Sequence, residues 1–357
     1  MAEKVFNARE EAIRMGLDME CPEPPYPAST LIARMDWDEE PVRIGFDGVG
    51  DNWPTTWGDD DINYTTYGDG RGFGGEKLPR ESSLSLGFAR VHGHPPHHWG
   101  EDLKTDADVP VGWGENGIKS SGLLMVDSVL YLFVRNYKVE GDWRHSRLAW
   151  SIDKGKTWKW ADWYFSDSFG CPDFVQCGKN YDQAKDEYVY IVSQDSNSAY
   201  DYTRHLVMAR VPITAITDRR RYEFFAGTDS AGNPIWTPEI ADRKPIFTDG
   251  RGVFRVGITY NPPLKRFFLA TSHWVADWPG PRKHTSALGV FEASNPWGPW
   301  ATVYYDDWWL GDKTCFHHKF PAKYISADGL EMWCLFSGQG GNYTYTLRRA
   351  SLVVSRH

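Results

Sequence analysis

Five times along the chain an apolar run, a polar turn rich in Asp, Gly or Asn, and a second apolar run rich in Tyr, Trp and Phe follow one another. The copies lie at residues 53–70, 120–136, 173–195, 255–273 and 320–338. β-Branched and aromatic runs flanking a short turn predict β-hairpins. A further strand is predicted after each hairpin, at residues 83–91, 146–153, 205–212, 286–293 and 346–354. All five of these put Ala or Gly between larger apolar residues, which would let neighbouring sheets approach closely. Fourth strands are harder to see; residues 157–165, 221–227 and 301–308 are candidates.

Similar hairpins spread over one long chain suggest radial repetition, which is how a β-propeller hides its strand edges. The pattern therefore predicts an all-β, five-bladed β-propeller over residues 30–357. It is preceded by residues 1–29, a short charged N-terminal helix and a Pro-rich connector. The run PVRIGF at residues 41–46 could be a strand that pairs with the last blade and closes the ring. The spacing is uneven, so long loops at residues 71–80, 92–115 and 277–284 are expected to crowd one face, where function usually lives.

Trp, Tyr and Phe each occur eighteen times. Most are expected to pack blades together. Those in loop contexts, Trp99, Trp113, Trp274, Trp278, Trp308 and Trp309, are candidates for stacking on sugar rings. A net charge of −9 makes a nucleic-acid backbone an unsuitable partner. No run of about 18 apolar residues predicts a membrane span. Residues 1–16 lack the apolar core of a secretory signal. That suits a cytoplasmic protein, or a secreted or periplasmic one whose leader has been removed. Five Cys without metal spacing force no disulfide.

Two short motifs sharpen the fold. SIDKGKTW, with Ser151, Asp153, Gly155, Thr157 and Trp158, resembles the Asp-box of sialidase-type propellers at every defined position. It describes a tight turn in which Asp and Ser or Thr bond the backbone and Trp packs beneath. FEASNPWGPW at residues 291–300 resembles a Pro-Gly turn of five-bladed glycosidase propellers. With these, the stretches at residues 51–70, 85–91, 117–136, 168–181, 221–240, 254–268 and 326–338 resemble one family. It is a five-bladed propeller family first catalogued as a domain of unknown function, with endo-D-arabinanases among its relatives. The resemblance covers about residues 45–355 and implies a carbohydrate-active enzyme. A polysaccharide or oligosaccharide is then the expected partner, with neither nucleic acid nor membrane, and the chain is expected as a monomer or weak oligomer.

The first residues of each innermost strand of a propeller line the central channel. The five hairpins offer Asp51, Asn52 and Trp53; Asn116 and Lys119; Asp173; Arg255; and His317, His318 and Lys319. Glycoside hydrolysis needs two carboxyl groups across the scissile bond. Asp51 is the expected base or nucleophile and Asp173 the acid, with His318 a further catalytic candidate. Asn52, Trp53, Asp60, Lys119, Arg255, Lys319 and His98 are expected to bind substrate. Asp59, Asp60 and Asp61 read first as a solvated turn; they could also hold Ca2+, though no cofactor is required. The cations Lys119 and Arg255 allow a second scheme, β-elimination on a uronate, with His92, His94, His97 and His98 of the loop HGHPPHHWG, or Tyr200 and Tyr202, as bases. A non-catalytic glycan-binding propeller is a third.

Overall fold

Many of the chain's apolar runs do not alternate. Lys119–Val126 is buried at every position and Leu288–Ala293 likewise. Strands apolar on both sides must lie in sheets covered on both faces. The computed structural model, which describes residues 23–355 except 111, 113, 274–285, 312–314 and 339–342, has that arrangement. Among the described residues every regular element is a strand or a short 3-10 turn. The predicted N-terminal helix and the loop at residues 277–284 lie outside the described residues.

The strands form four antiparallel sheets. The first runs Thr55–Trp57, Asn63–Tyr67, Leu84–His94, His97–Leu103. The second runs Lys119–Val126, Val129–Val139, Asp142–Ser151, Lys159–Phe165. The third is nine-stranded: Asp173–Phe174, Tyr188–Gln194 and Thr203–Pro212 are followed by Pro245–Asn261, Arg266–Ser272, Leu288–Ala293 and Ala301–Asp306, with Glu223–Thr228 and Pro234–Thr237 at the side. The seventeen-residue strand Pro245–Asn261 joins its halves: the outer part pairs with Thr203–Pro212 and the inner part with Arg266–Ser272. The last sheet holds Cys315–Lys319, Glu331–Gly338 and Tyr345–Val354. Ile32–Trp37 and Val42–Ile44 both pair with Tyr345–Val354, so the start of the chain completes the last sheet.

Hydrogen bonds link the inner strands into a closed circuit. Met125 N–H donates to Thr56 Oγ1 (3.0 Å) and Gln176 Nε2 to Leu123 O (2.9 Å). Gln176 N–H donates to Ile258 O, Thr259 Oγ1 to Phe320 O, and Asn52 N–H to Ser337 Oγ. The first sheet is thus bonded to the last. Four apolar clusters fill the spaces between sheets, the largest running from Phe133 and Phe174 to Phe247 and Phe291.

Three local expectations change. The fifth hairpin begins earlier than its pattern indicates: its inner strand is Cys315–Lys319, and Ala322–Tyr324 is a 3-10 turn. HGHPPHHWG is a hairpin, not an open loop, with His92 opposite Trp99 and Gly93 opposite His98. The small residue of the following strand serves its own sheet at Gly87: a Cβ there would lie 2.3 Å from Tyr67 Cζ, so the glycine makes room for a ring on the adjacent strand. The Ser151–Trp158 turn is closed by Asp153, which accepts from Lys156 N–H, Thr157 N–H and Thr157 Oγ1, and Trp158 is buried.

Candidate functional site

The polar ends of the inner strands meet at one end of the circuit. Asp51, Asn52, Lys119, Asp173, Arg255 and Lys319 are all buried there. The backbone bends sharply to deliver them. Asn52, Asp69, Asn136, Arg255 and His317 have φ between 50° and 61°, a left-handed conformation that is uncommon away from glycine. Strand register shifts at Arg255 and beside His317, as in β-bulges that re-aim side chains.

Two buried ammonium groups are paired. Lys119 Nζ donates to Asp69 Oδ1 (2.6 Å), Gly112 O (2.9 Å) and Ser85 Oγ (3.2 Å). Lys319 Nζ bonds Asp173 Oδ2, and Phe174 N–H donates to Asp173 Oδ1 at 2.9 Å. Gly122 and Gly257 make room for that second pair. A Cβ on Gly122 would lie 2.9 Å from Asp173 Oδ1, and one on Gly257 would lie 2.9 Å from Lys319 Cγ.

Asp51 is different. Its carboxylate accepts from Asn52 Nδ2 at 2.7 Å. Burial, and then the neighbouring Asp69 carboxylate, push it up to about 6, against the opposing pull of Arg255, Lys119 and Arg135. Burial also raises Asp173, and Lys319 offsets part of that rise. Burial alone would raise Tyr200, yet Arg135, Arg255 and Lys119 outweigh it and hold the phenol below its usual value. His317 is pushed well below the ordinary histidine range by burial, then by Lys319, Arg255 and Arg135. Tyr343, pushed up to about 12 by burial and by Asp51 and Asp69, lies on the same side.

Four of the residues expected at the site lie elsewhere. His318 points to the opposite face of its strand from His317. It is fully buried, with Nδ1 3.1 Å from Ser272 Oγ and Nε2 3.4 Å from Cys315 Sγ, edge-on to Trp309. Burial pushes it down to about 3, so it is a neutral packing group. Trp53 is enclosed by Tyr67, Phe73 and Tyr345 and donates Nε1–H to Thr344 O; no face is open to a sugar. Asp60 sits in the turn at the far end of its hairpin, bonded to Lys154 Nζ and Tyr64 OH. His98 is buried on the outermost strand of the first sheet, against the rings of Tyr324 and Tyr345.

The remaining candidates divide similarly. Asp59 shares Lys154 with Asp60, and Asp61 is 3.4 Å from Lys323. Among the described residues no group of three or more His, Cys, Asp or Glu side chains is arranged to hold a metal ion. Trp309 is core, Trp99 is exposed and stacked on His92, and Trp113, Trp274 and Trp278 lie outside the described residues. Sequence reasoning missed Asp69, Arg135 and Tyr343, and gave Tyr200 another role. For Arg135 and Asp69 a signal was present, because they stand at or beside the hairpin partners of residues that were found. Arg135 is opposite Lys119, and Asp69 adjoins Gly68, which is opposite Asp51.

The arrangement of sheets is found in known proteins. No family model and no curated protein matches the sequence. Among solved structures, the chain is similar to a protein from Bacteroides ovatus, with TM-score 0.53, 11% identity and 86% of each chain covered. It is also similar to a GH43_1 enzyme from Xanthomonas citri, with TM-score 0.51, 10% identity, and 89% and 93% of the two chains covered. That enzyme complexed with xylose gives a TM-score of 0.50 at 10% identity, with 89% and 92% covered. At such identities the similarity is one of fold alone.

Proposed function

We propose that the chain is a five-bladed β-propeller glycoside hydrolase that cleaves a polysaccharide at the cluster around Asp51. The nine-stranded sheet is read as two blades joined along Pro245–Asn261, and residues 30–357 as one domain. The observation that carries the reading is Asp51: a buried carboxyl pushed up to about 6 at the end of a ring of polar strand ends. A carboxyl of that kind is protonated in mild acid and still partly so near neutrality, and can give that proton to a leaving glycosidic oxygen. Asp51 is therefore assigned as the acid, the reverse of the sequence expectation. Asp173 stands on an inner strand two sheets further round, held by Lys319 and the Phe174 N–H. It is the second carboxylate, acting as base or nucleophile. The fold shared with the Xanthomonas citri enzyme and the family resemblance both support a sugar substrate.

The test is a panel of arabinans, xylans, galactans and uronate-containing glycans, with product length followed by chromatography. The wild-type chain is expected to shorten at least one of them. Asp51→Asn and Asp173→Asn should each lose at least about 100-fold while remaining folded. Full activity in either variant overturns the assignment. Products with a new near-ultraviolet absorbance would mean elimination, and bound but unshortened glycan would mean a binding module.

A further inference from the structure

Among the described residues, two arginines in the cluster make no ion pair with a carboxylate, though both lie within the electrostatic reach of Asp51. Arg135 and Arg255 come from Val129–Val139 and Pro245–Asn261, and both are buried, at 1% and 6% exposure. Both guanidinium groups lie against the Tyr200 ring, 5.4 and 5.9 Å from its centroid. Arg135 Nη1 donates to Tyr200 OH at 3.1 Å, and Arg255 Nη1 bonds Asn52 Oδ1. Both acceptors are uncharged in their ordinary forms. The lysines beside them do have carboxylate partners, Asp69 and Asp173. Asp51, the remaining acid, is bonded to Asn52 Nδ2.

Donors are left over. Among the described residues, Arg135 Nη2, Arg255 Nε and Gln194 Nε2 are buried without a hydrogen-bond partner. Gln194 is bonded to Arg255 through the backbone, its Oε1 accepting from Arg255 N–H at 3.2 Å. Like charges brought together in a buried place destabilise a fold, and so do unsatisfied guanidinium donors. Arg255 also sits in a left-handed conformation, a further local cost. A strained, buried, cationic group of donors that the protein itself leaves unfilled has the character of a binding site.

We propose that Arg135, Arg255 and Tyr200 form a subsite for an anionic oxygen group on the sugar substrate, a uronic-acid carboxylate or a sulfate ester. Guanidinium donors are well matched to both, because each offers two or more oxygens to parallel N–H groups. The Tyr200 ring is the wall that holds the two planes. The inference rests on the same site as the proposed hydrolysis and narrows its substrate to acidic glycans.

Calorimetric titration of the full chain with glucuronate, glucose 6-sulfate and glucose tests it. The acidic sugars are expected to bind at least about tenfold more tightly than glucose, with an advantage that shrinks as NaCl rises. Whichever acidic sugar binds better identifies the group. Arg135→Gln should remove the advantage while remaining folded. Equal binding of glucose and both acidic sugars by the wild type overturns the proposal, as does Arg135→Gln that keeps the preference. A fall in melting temperature for Arg135→Gln together with an unchanged preference assigns the pair a structural role and also overturns it. If that variant does not fold, the wild-type comparison of charged with neutral sugar decides alone. Acidic-sugar binding without cleavage of any glycan would sink the hydrolase reading and keep this one. Cleavage of neutral glycans with no acidic preference would do the reverse.

Discussion

Asp51 shows how much one residue's surroundings decide. The side chain is an ordinary aspartate in the sequence, between Gly50 and Asn52. In the fold it is buried beside Asp69, and its pKa rises to about 6. The folded chain then holds the proton more tightly than the unfolded chain. Stability is complete below the unfolded value and falls as pH rises from about 4 to about 6. A rise of about two units corresponds to on the order of 3 kcal/mol lost by pH 7. Asp51→Asn is therefore expected to abolish cleavage and to raise the denaturation midpoint at pH 7, with the gain disappearing at pH 4; urea melts at the two pH values check both. The same acid predicts that the kcat/KM profile falls on its alkaline side near the value for Asp51, and an alkaline limb that is unchanged in Asp69→Asn would deny that Asp69 contributes to the shift.

At the scale of strands and turns, the hairpin pattern was legible because burial on both faces leaves long apolar runs, and because the turns carry Asp, Gly and Asn. Four of the five hairpins have their strands where the pattern put them. The fifth is displaced because its inner strand, CFHHK, ends in three consecutive polar residues and does not read as an apolar run. His97–Leu103 was hidden for the same reason: HHWGEDL is a polar edge strand, partly exposed along its length. The glycine opposite Tyr67 gives a direct test. Gly87→Ala would push a methyl group into a buried ring, and is expected to cost about 1–3 kcal/mol in chemical denaturation. A neutral result would mean that the Tyr67 ring can move aside.

The whole molecule closes by exchange between its two ends. Ile32–Trp37 and Val42–Ile44 complete the sheet that contains Tyr345–Val354, and Ile32 and Met35 are part of that sheet's apolar cluster. The Pro-rich connector joins in: Tyr26 packs on Phe247 and Phe291, and its carbonyl accepts from Thr302 Oγ1. Deleting residues 1–44 would expose the edge of Tyr345–Val354 and uncover that cluster. The shortened chain is expected to melt at least 10 °C lower, as an order-of-magnitude figure, and to aggregate through the freed edge. Calorimetry and light scattering measure the two effects; a soluble variant with unchanged melting would show that the ring closes without these strands.

The sequence by itself determined the all-β character, the repeated hairpins and the strand PVRIGF that returns to the last sheet. Each follows from local patterning, since alternation, apolar runs and turn residues act over a few positions. It also brought Asp51, Lys119, Asp173, Arg255 and Lys319 together, because equivalent places in a repeat converge when the repeats are arranged radially. Only the tertiary structure decided which way the neighbouring side chains face. The bulge beside His317 turns that histidine toward the arginines and leaves His318 in the core, and Trp53 is closed in by rings of its own hairpin, the following loop and the last strand. Only it brought Arg135, Tyr200 and Asp69 to the same cluster. Arg135 and Asp69 sit at or just beyond the returning ends of strands and Tyr200 in a turn, and what makes them chemically distinct is the burial and charge that their neighbours impose.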